Sequence, residues 1–225
     1  GDQKQIVTVD AEGHGTATFA NPREADVFAE GTTTVTAKVT GISGGNYEYT
    51  EKDQTATVDI IDSDKAATVT ITTKNEEEAD NGEVTFDVQL SEAPRGEAVV
   101  HVKVGDQEHD VAVDSNGHGT LTIAHGNGED VYLDESNVTA TVTGVTGGGF
   151  QSVNVEGATA TAKIEDTIDK TTVILTPNAT SYREGEEISF DVQLSNKPDP
   201  NYNGETIVTV ELGDQTQEVK VDAEG

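Results

Sequence analysis

The sequence predicts an all-β fold of tandem immunoglobulin-like β-sandwich domains joined end to end by short acidic linkers. Three observations predict it. Apolar and polar residues alternate in short runs, blocks of sequence recur about every 104 residues, and no segment holds a helical apolar period long enough for a helix. The apolar content is only 33% and is dominated by β-branched Val and Ile, with much Thr beside it. That vocabulary suits a pleated, half-buried surface and a thin two-sheet core.

The repeat is explicit. Residues 1–13 read GDQKQIVTVDAEG, residues 105–117 GDQEHDVAVDSNG and residues 213–225 GDQTQEVKVDAEG, at offsets of 104 and 108. Gly13-His14-Gly15-Thr16 returns as Gly117-His118-Gly119-Thr120, and Asp26-Val27-Phe28 as Asp130-Val131-Tyr132. The segment Thr85–Ser91 returns as Ser189–Ser195. Four extra residues in the loop Asp199–Asn203, against the short Pro94-Arg95-Gly96, lengthen the second offset, as insertions in surface loops do. The expected division is the C-terminal part of a preceding repeat (1–65), a complete repeat (66–169) and the N-terminal part of a following one (170–225). The chain reads as a piece cut from a longer array.

Within the complete repeat, alternation marks strands at Thr68–Thr73, Val84–Leu90, Ala98–Val104, Asp110–Val113, Thr120–Ala124, Val138–Thr143 and Thr159–Ile164. Gly-, Asn- and Asp-rich breaks separate them, and Ser115-Asn116-Gly117 reads as a hairpin turn. Seven short strands in one repeat of this length fit an immunoglobulin-like sandwich. The buried Trp and Cys pair of antibody domains are absent, so the likeness is one of architecture.

Charge narrows the function. Forty-three Asp and Glu against 13 Lys and Arg give a formal charge of −30. That excludes a basic nucleic-acid footprint and docking on an anionic membrane. If strands alternate up and down, the loop Lys74–Gly82, the loop His125–Ser136 and the linker Glu165–Asp169 share one pole. They carry Glu76, Glu77, Glu78 and Asp80; Glu129, Asp130, Asp134 and Glu135; and Glu165, Asp166 and Asp169. The following repeat's long loop brings Asp199 to the same junction. At the preceding junction stand Glu24, Asp26, Glu30, Asp62 and Asp64. Hard oxygen donors on converging loops suit Ca²⁺, which would stiffen the hinge and offset self-repulsion. The candidate metal ligands are therefore Asp26, Glu30, Asp62, Asp64, Asp80, Glu129, Asp130, Asp134, Asp166, Asp169 and Asp199. Neither an EF-hand loop nor a G-G-x-G-x-D repeat is present, so this reading rests on position.

Catalytic chemistry has no foothold in the pattern. His14 and His118 follow turns, and no Ser-His-Asp or Cys-His set recurs with His101 or His109. Asn137-Val-Thr139 and Asn178-Ala-Thr180 fit the glycosylation acceptor pattern but fall in strands of a Thr-rich chain. The alternative function is a module that itself grips sugar or a host surface protein, for which the insertion with Tyr202 is the candidate.

The runs Glu129-Asp130-Val131-Tyr132, Val138–Gly144, Gly147-Gly148-Gly149-Phe150 and Asp166–Val173 together resemble the tandem extender repeats of large RTX adhesins. These are bacterial surface proteins exported by type I secretion. The resemblance implies immunoglobulin-like sandwiches strung from an outer membrane, with Ca²⁺ at their junctions. It implies a non-enzymatic, extracellular spacer that projects a distal adhesive domain for attachment, cohesion or biofilm formation. The partners it implies are neighbouring repeats, with the adhesive target belonging to another domain. Asp62, Asp64, Asp166 and Asp169 match the family's linker acids in kind.

Overall fold

The structure, a computed structural model, describes residues 3–225. Gly1 and Asp2, which open the first copy of the repeated block, lie outside the described residues. The described chain is all-β and contains no helix. The strands are β1 (Thr33–Lys38), β2 (Thr55–Ile60), β3 (Ala67–Thr73), β4 (Glu76–Glu77), β5 (Glu83–Leu90), β6 (Ala98–Val104), β7 (Gln107–Val113) and β8 (His118–Ala124), followed by β9 (Ser136–Gly147), β10 (Val153–Asn154), β11 (Thr159–Glu165), β12 (Val173–Pro177), β13 (Phe190–Leu194), β14 (Thr206–Leu212) and β15 (Gln215–Val221). The middle repeat forms a four-stranded sheet of order β10-β3-β5-β8 and a five-stranded sheet of order β4-β11-β9-β6-β7, a sandwich-type arrangement. The flanking segments form two-stranded ladders β1-β2, β12-β13 and β14-β15.

Alternation decides which side chains go inside. In β5 the residues Val84, Phe86, Val88 and Leu90 are 2% exposed or less, while Asp87 and Gln89 between them face water. Burying each such side chain contributes about 1.5–3 kcal/mol. Every fully buried apolar side chain among the described residues falls between Ala67 and Ile164. The flanking strands keep the same alternation but leave their apolar residues more exposed. Val173 and Leu175 are 52% and 47% exposed, whereas Val69 and Ile71, at the matching positions of the middle repeat, are 5% and 7% exposed.

The repeated motifs resolve into repeated hydrogen bonds. The Gly-Asp-Gln block is a two-residue hairpin turn. Val104 pairs with Gln107 around Gly105 at φ 56°, and Leu212 with Gln215 around Gly213 at φ 59°. A primed hairpin turn needs positive φ at its first central residue, which glycine supplies. The block then ends in an aspartate-capped turn. Asp114 Oδ1 accepts the N–H groups of Asn116 (2.8 Å) and His118 (3.0 Å), and Asp10 Oδ1 accepts those of Glu12 (3.1 Å) and His14 (2.8 Å). The Gly117 carbonyl accepts Leu90 N–H at 2.9 Å, and the Gly225 carbonyl accepts Leu194 N–H at 2.7 Å.

Three details differ from the sequence reading. The turn Ser115-Asn116-Gly117 is not a hairpin: β7 and β8 lie in different sheets, and the turn carries the chain between them. The strand expected from Asp110 begins at Gln107, because Gln107, Glu108 and His109 complete the ladder with β6 despite their polarity. The loop Lys74–Gly82 contains the short strand β4, which pairs parallel with β11 through Glu76↔Ile164 and Glu77↔Glu165.

The chain divides into two compact units. One gathers the chain through Ile71 with Asp87–Thr120 and Thr141–Thr159; the other gathers Thr72–Phe86, Leu121–Ala140 and Ala160–Gly225. Each contains one acidic cluster.

Candidate metal centre

The first cluster is built from the loop before β1 and the segment after β2. Asp62 anchors it. Its Oδ2 accepts the backbone N–H groups of Glu30 (2.7 Å) and Gly31 (3.0 Å). Asp26 closes its own turn by accepting Phe28 N–H at 2.8 Å, and the Asp26 carbonyl accepts the Ser63 hydroxyl at 2.6 Å. Two arginines fill the cluster. Arg23 Nη2 donates to Asp62 Oδ1 at 2.5 Å and Glu30 Oε2 at 2.9 Å, and Nη1 donates to the Gly31 carbonyl at 2.7 Å. Arg95, from the loop between β5 and β6, reaches Glu30 Oε1 at 2.7 Å and Asp26 Oδ2 at 3.2 Å. The Arg95 and Arg23 guanidinium groups hold the Glu30 carboxyl below the usual carboxylate range. The Glu30 N–H foremost, then Gly31 N–H and Arg23, hold Asp62 below it too, against the opposing effect of burial. Beside this polar knot Phe28 stacks on Phe150 at 5.2 Å between ring centroids.

The second cluster uses the corresponding loop before β9, the segment after β11 and one more element. Because β4 runs beside β11, Glu78 N–H donates to the Glu165 carbonyl at 2.9 Å and the Glu78 side chain turns inward. Glu78 is 2% exposed. Its Oε1 accepts the Thr167 N–H at 2.9 Å and lies 3.0 Å from the Thr167 Oγ1, while its Oε2 is buried with no hydrogen-bond partner. One carboxylate oxygen each from Glu78, Asp130 and Asp134 lie within 4.8 Å of one another. Asp130 repeats the role of Asp26, accepting Tyr132 N–H at 2.7 Å. Asp166 repeats that of Asp62 more loosely, accepting Asp134 N–H at 3.4 Å. Glu129 accepts the Thr167 hydroxyl at 2.6 Å. Loss of water first, and the Asp130 charge next, push the Asp134 carboxyl above the usual carboxylate range, although Asp134 as a whole is exposed. Glu78 and Asp166 act in the same direction.

Oxygen donors of this kind suit a hard divalent cation, and a buried carboxylate with an orphaned oxygen, clustered with two further carboxylates, fits one. Glu78, Asp130 and Asp134 are the residues placed to hold it, with Asp166 and Glu129 beside them. Among the described residues the set consists of carboxylates alone.

Of the remaining candidates, Asp80, on the same loop as Glu78, is exposed, as are Asp64 and Asp169. Asp199 is spent on its own turn, accepting Asn201 N–H at 2.7 Å. Glu78 stands out only in the structure, since three consecutive glutamates give no sign of which one is buried. Arg23 and Arg95 are a second gain of the structure. The signal available for Arg23 was its alignment with Asn127 in the repeat.

The described residues form an all-β, sandwich-type fold that presents carboxylates on its loops, and His101 stands between Asp110 (2.7 Å) and the Thr146 hydroxyl (3.1 Å) on the face of the five-stranded sheet. The comparison with family models is specific: residues 65–167 match the LapA domain, a domain of large adhesion proteins. That match points to an adhesin-related, cell-surface role for this segment. No curated protein matches the chain. No helix of the described residues is long and apolar enough to cross a membrane.

Proposed function

We propose that this chain is a spacer segment of a bacterial cell-surface adhesin, non-enzymatic, extracellular and stiffened by Ca²⁺ where one repeat meets the next. One observation carries the calcium reading: the buried Glu78 carboxylate, which has an unpartnered Oε2 and one oxygen within 4.8 Å of carboxylate oxygens of Asp130 and Asp134. Leaving such an oxygen unpaired costs about 1–3 kcal/mol, more for a charged group, and a cation offsets that cost. The ion would be held by acids from three chain segments: the one after β4, the loop before β9 and the stretch after β11. Fixing those segments together orients whatever follows Asp169. In the parent protein the repeats hold a distal adhesive domain away from the cell, and export follows the type I route that the sequence resemblance implies.

The test is calcium-dependent melting and solution scattering of the 225-residue chain. Calcium at roughly a hundred times its Kd adds about 2.7 kcal/mol to the folded state. The melting temperature should rise with calcium, fall back with EDTA, and the scattering envelope should broaden on chelation. Superimposable curves with and without calcium would refute the reading.

A further inference from the structure

We propose that Arg23 is a built-in cation that takes the place of a bound metal in the first acidic cluster, so that only the second, where Asn127 occupies the corresponding position, requires one. The two clusters share one frame, to which the Glu78 loop adds a carboxylate in the second. Asp26 and Asp130 each cap their turn onto the aromatic residue two positions on, at 2.8 and 2.7 Å. Glu30 N–H donates to Asp62 and Asp134 N–H donates to Asp166, one repeat apart. Into this shared frame the first copy inserts a guanidinium that bridges Asp62, Glu30 and the Gly31 carbonyl. Those are two carboxylates and a main-chain oxygen, the donor types a calcium ion collects. The Arg23 side chain is 17% exposed and that of Asp62 18%, so the charge is seated within the cluster.

The second copy has no cation at that place. Asn127 Nδ2 makes only a long contact, 3.4 Å, to the Asp134 carbonyl. The anchor has slackened with it: Asp134 N–H stands 3.4 Å from Asp166, where Glu30 N–H stands 2.7 Å from Asp62. Carboxylates without a counter-charge repel one another, and a planar guanidinium with fixed donors satisfies two at once. Arg23, with Arg95 beside it on Glu30 and Asp26, thus gives the first joint its own counter-charge, where the second holds Asn127 and the Glu78 carboxylate. An array can carry permanent and calcium-gated joints in the same strand of repeats.

The statement about Asn127 rests on the calcium reading above; the statement about Arg23 does not. Amide hydrogen exchange on the full chain separates them. In EDTA, Glu30 and Gly31 N–H should be protected, and calcium should leave them unchanged. Arg23→Gln should cut that protection in EDTA by roughly tenfold or more, the scale for losing a charge-assisted bond. Protection of Val88 and Val100, in the middle repeat's core, reports whether the variant stays folded. In the second cluster, Asp134 and Thr167 N–H should be protected only with calcium, and Asn127→Arg should protect them in EDTA. Calcium-dependent protection of wild-type Glu30 and Gly31, retention of that protection in Arg23→Gln without calcium, or an Asn127→Arg chain as unprotected in EDTA as wild type would each overturn the proposal. If wild-type Asp134 and Thr167 ignore calcium, the spacer's calcium reading fails, while exchange at Glu30 and Gly31 still decides the role of Arg23 by itself.

Discussion

The rings of Phe28 and Phe150 stack with centroids 5.2 Å apart and planes inclined by 18°, and the Arg95 guanidinium lies 3.8 Å from the centre of the Phe28 ring. A residue of the N-terminal segment thus contacts both a cation and an aromatic ring of the middle repeat. Aromatic pairs contribute about 0.5–1.5 kcal/mol beyond area burial, and an arginine over a ring about 0.5–1 kcal/mol at exposed sites. Phe150→Ala should therefore loosen the N-terminal segment, with an expected loss of about 1–2 kcal/mol in its local opening free energy. Amide exchange at Ala29, which donates to the Gly149 carbonyl at 2.9 Å, reads this directly. Unchanged exchange at Ala29 would show that the stack holds nothing.

Glu78→Gln should act with opposite signs in the two metal states. An amide at this position can donate toward Asp130 or Asp134 and removes one buried acid. In EDTA the variant should be about 1–3 kcal/mol more stable than wild type. In calcium it should be less stable, because the ion loses an anionic ligand. Paired thermal melts test this, and a variant that shifts both melts the same way would contradict it.

Acid should dissolve the first cluster late. The folded-state carboxyls of Glu30 and Asp62 lie below their ordinary values, so their contribution is fully present above the unfolded carboxylate range of about 4. It is lost only as pH falls through the lowered folded values. Carboxyl carbon NMR titration should find both groups still ionised at pH values where carboxylates of an unfolded chain are half protonated. Ordinary titration midpoints for Glu30 and Asp62 would contradict the ion-pair assignment.

Gly147 leaves no room for change. It sits at φ 77°, and a methyl group there would meet the Glu97 carbonyl oxygen at 2.3 Å. The obstacle is backbone, which cannot swing aside as a side chain can. Gly147→Ala should cost about 1–3 kcal/mol from crowding, with additional backbone strain. It should also disturb the neighbouring bonds from Gly148 N–H to Glu97 and from Arg95 N–H to Gly148, both 2.8 Å. Urea titration of the middle repeat measures the loss, and wild-type stability would show that the loop gives way freely.

Much of this architecture can be read directly from residue order, for a physical reason. In β3 and β5 the inward positions from Ala67 to Ile71 and from Val84 to Leu90 are all Ala, Val, Ile, Phe or Leu, so a period of two residues marks both the strand and its buried face. The convergence of the Lys74–Gly82 loop, the loop before β9 and the β11 exit also follows from strand parity, and Thr167 ties them by bonding both Glu78 and Glu129. What does not follow is which acid goes inside. β4 is two residues long, too short to show alternation, and its inward turn is set by the Glu78 N–H bond to Glu165, a main-chain contact without a side-chain signature. Asp64 and Asp169 look equivalent to Asp62 and Asp166 on paper. They differ because only the earlier member of each pair receives a backbone N–H from the loop opposite.

The parallel pairing of β4 with β11 has a mechanical consequence. Chain entering the middle repeat at Ala67 and leaving it at Glu165 runs through these two strands, and tension between those points pulls them past each other. The Glu76↔Ile164 and Glu77↔Glu165 pairs and the bond from Glu78 N–H to the Glu165 carbonyl then share the force in shear. They must give way together, where a hairpin peeled from its end would open one bond at a time. The rate of forced opening, which governs survival under tension, is thereby set at a patch of a few residues adjoining Glu78.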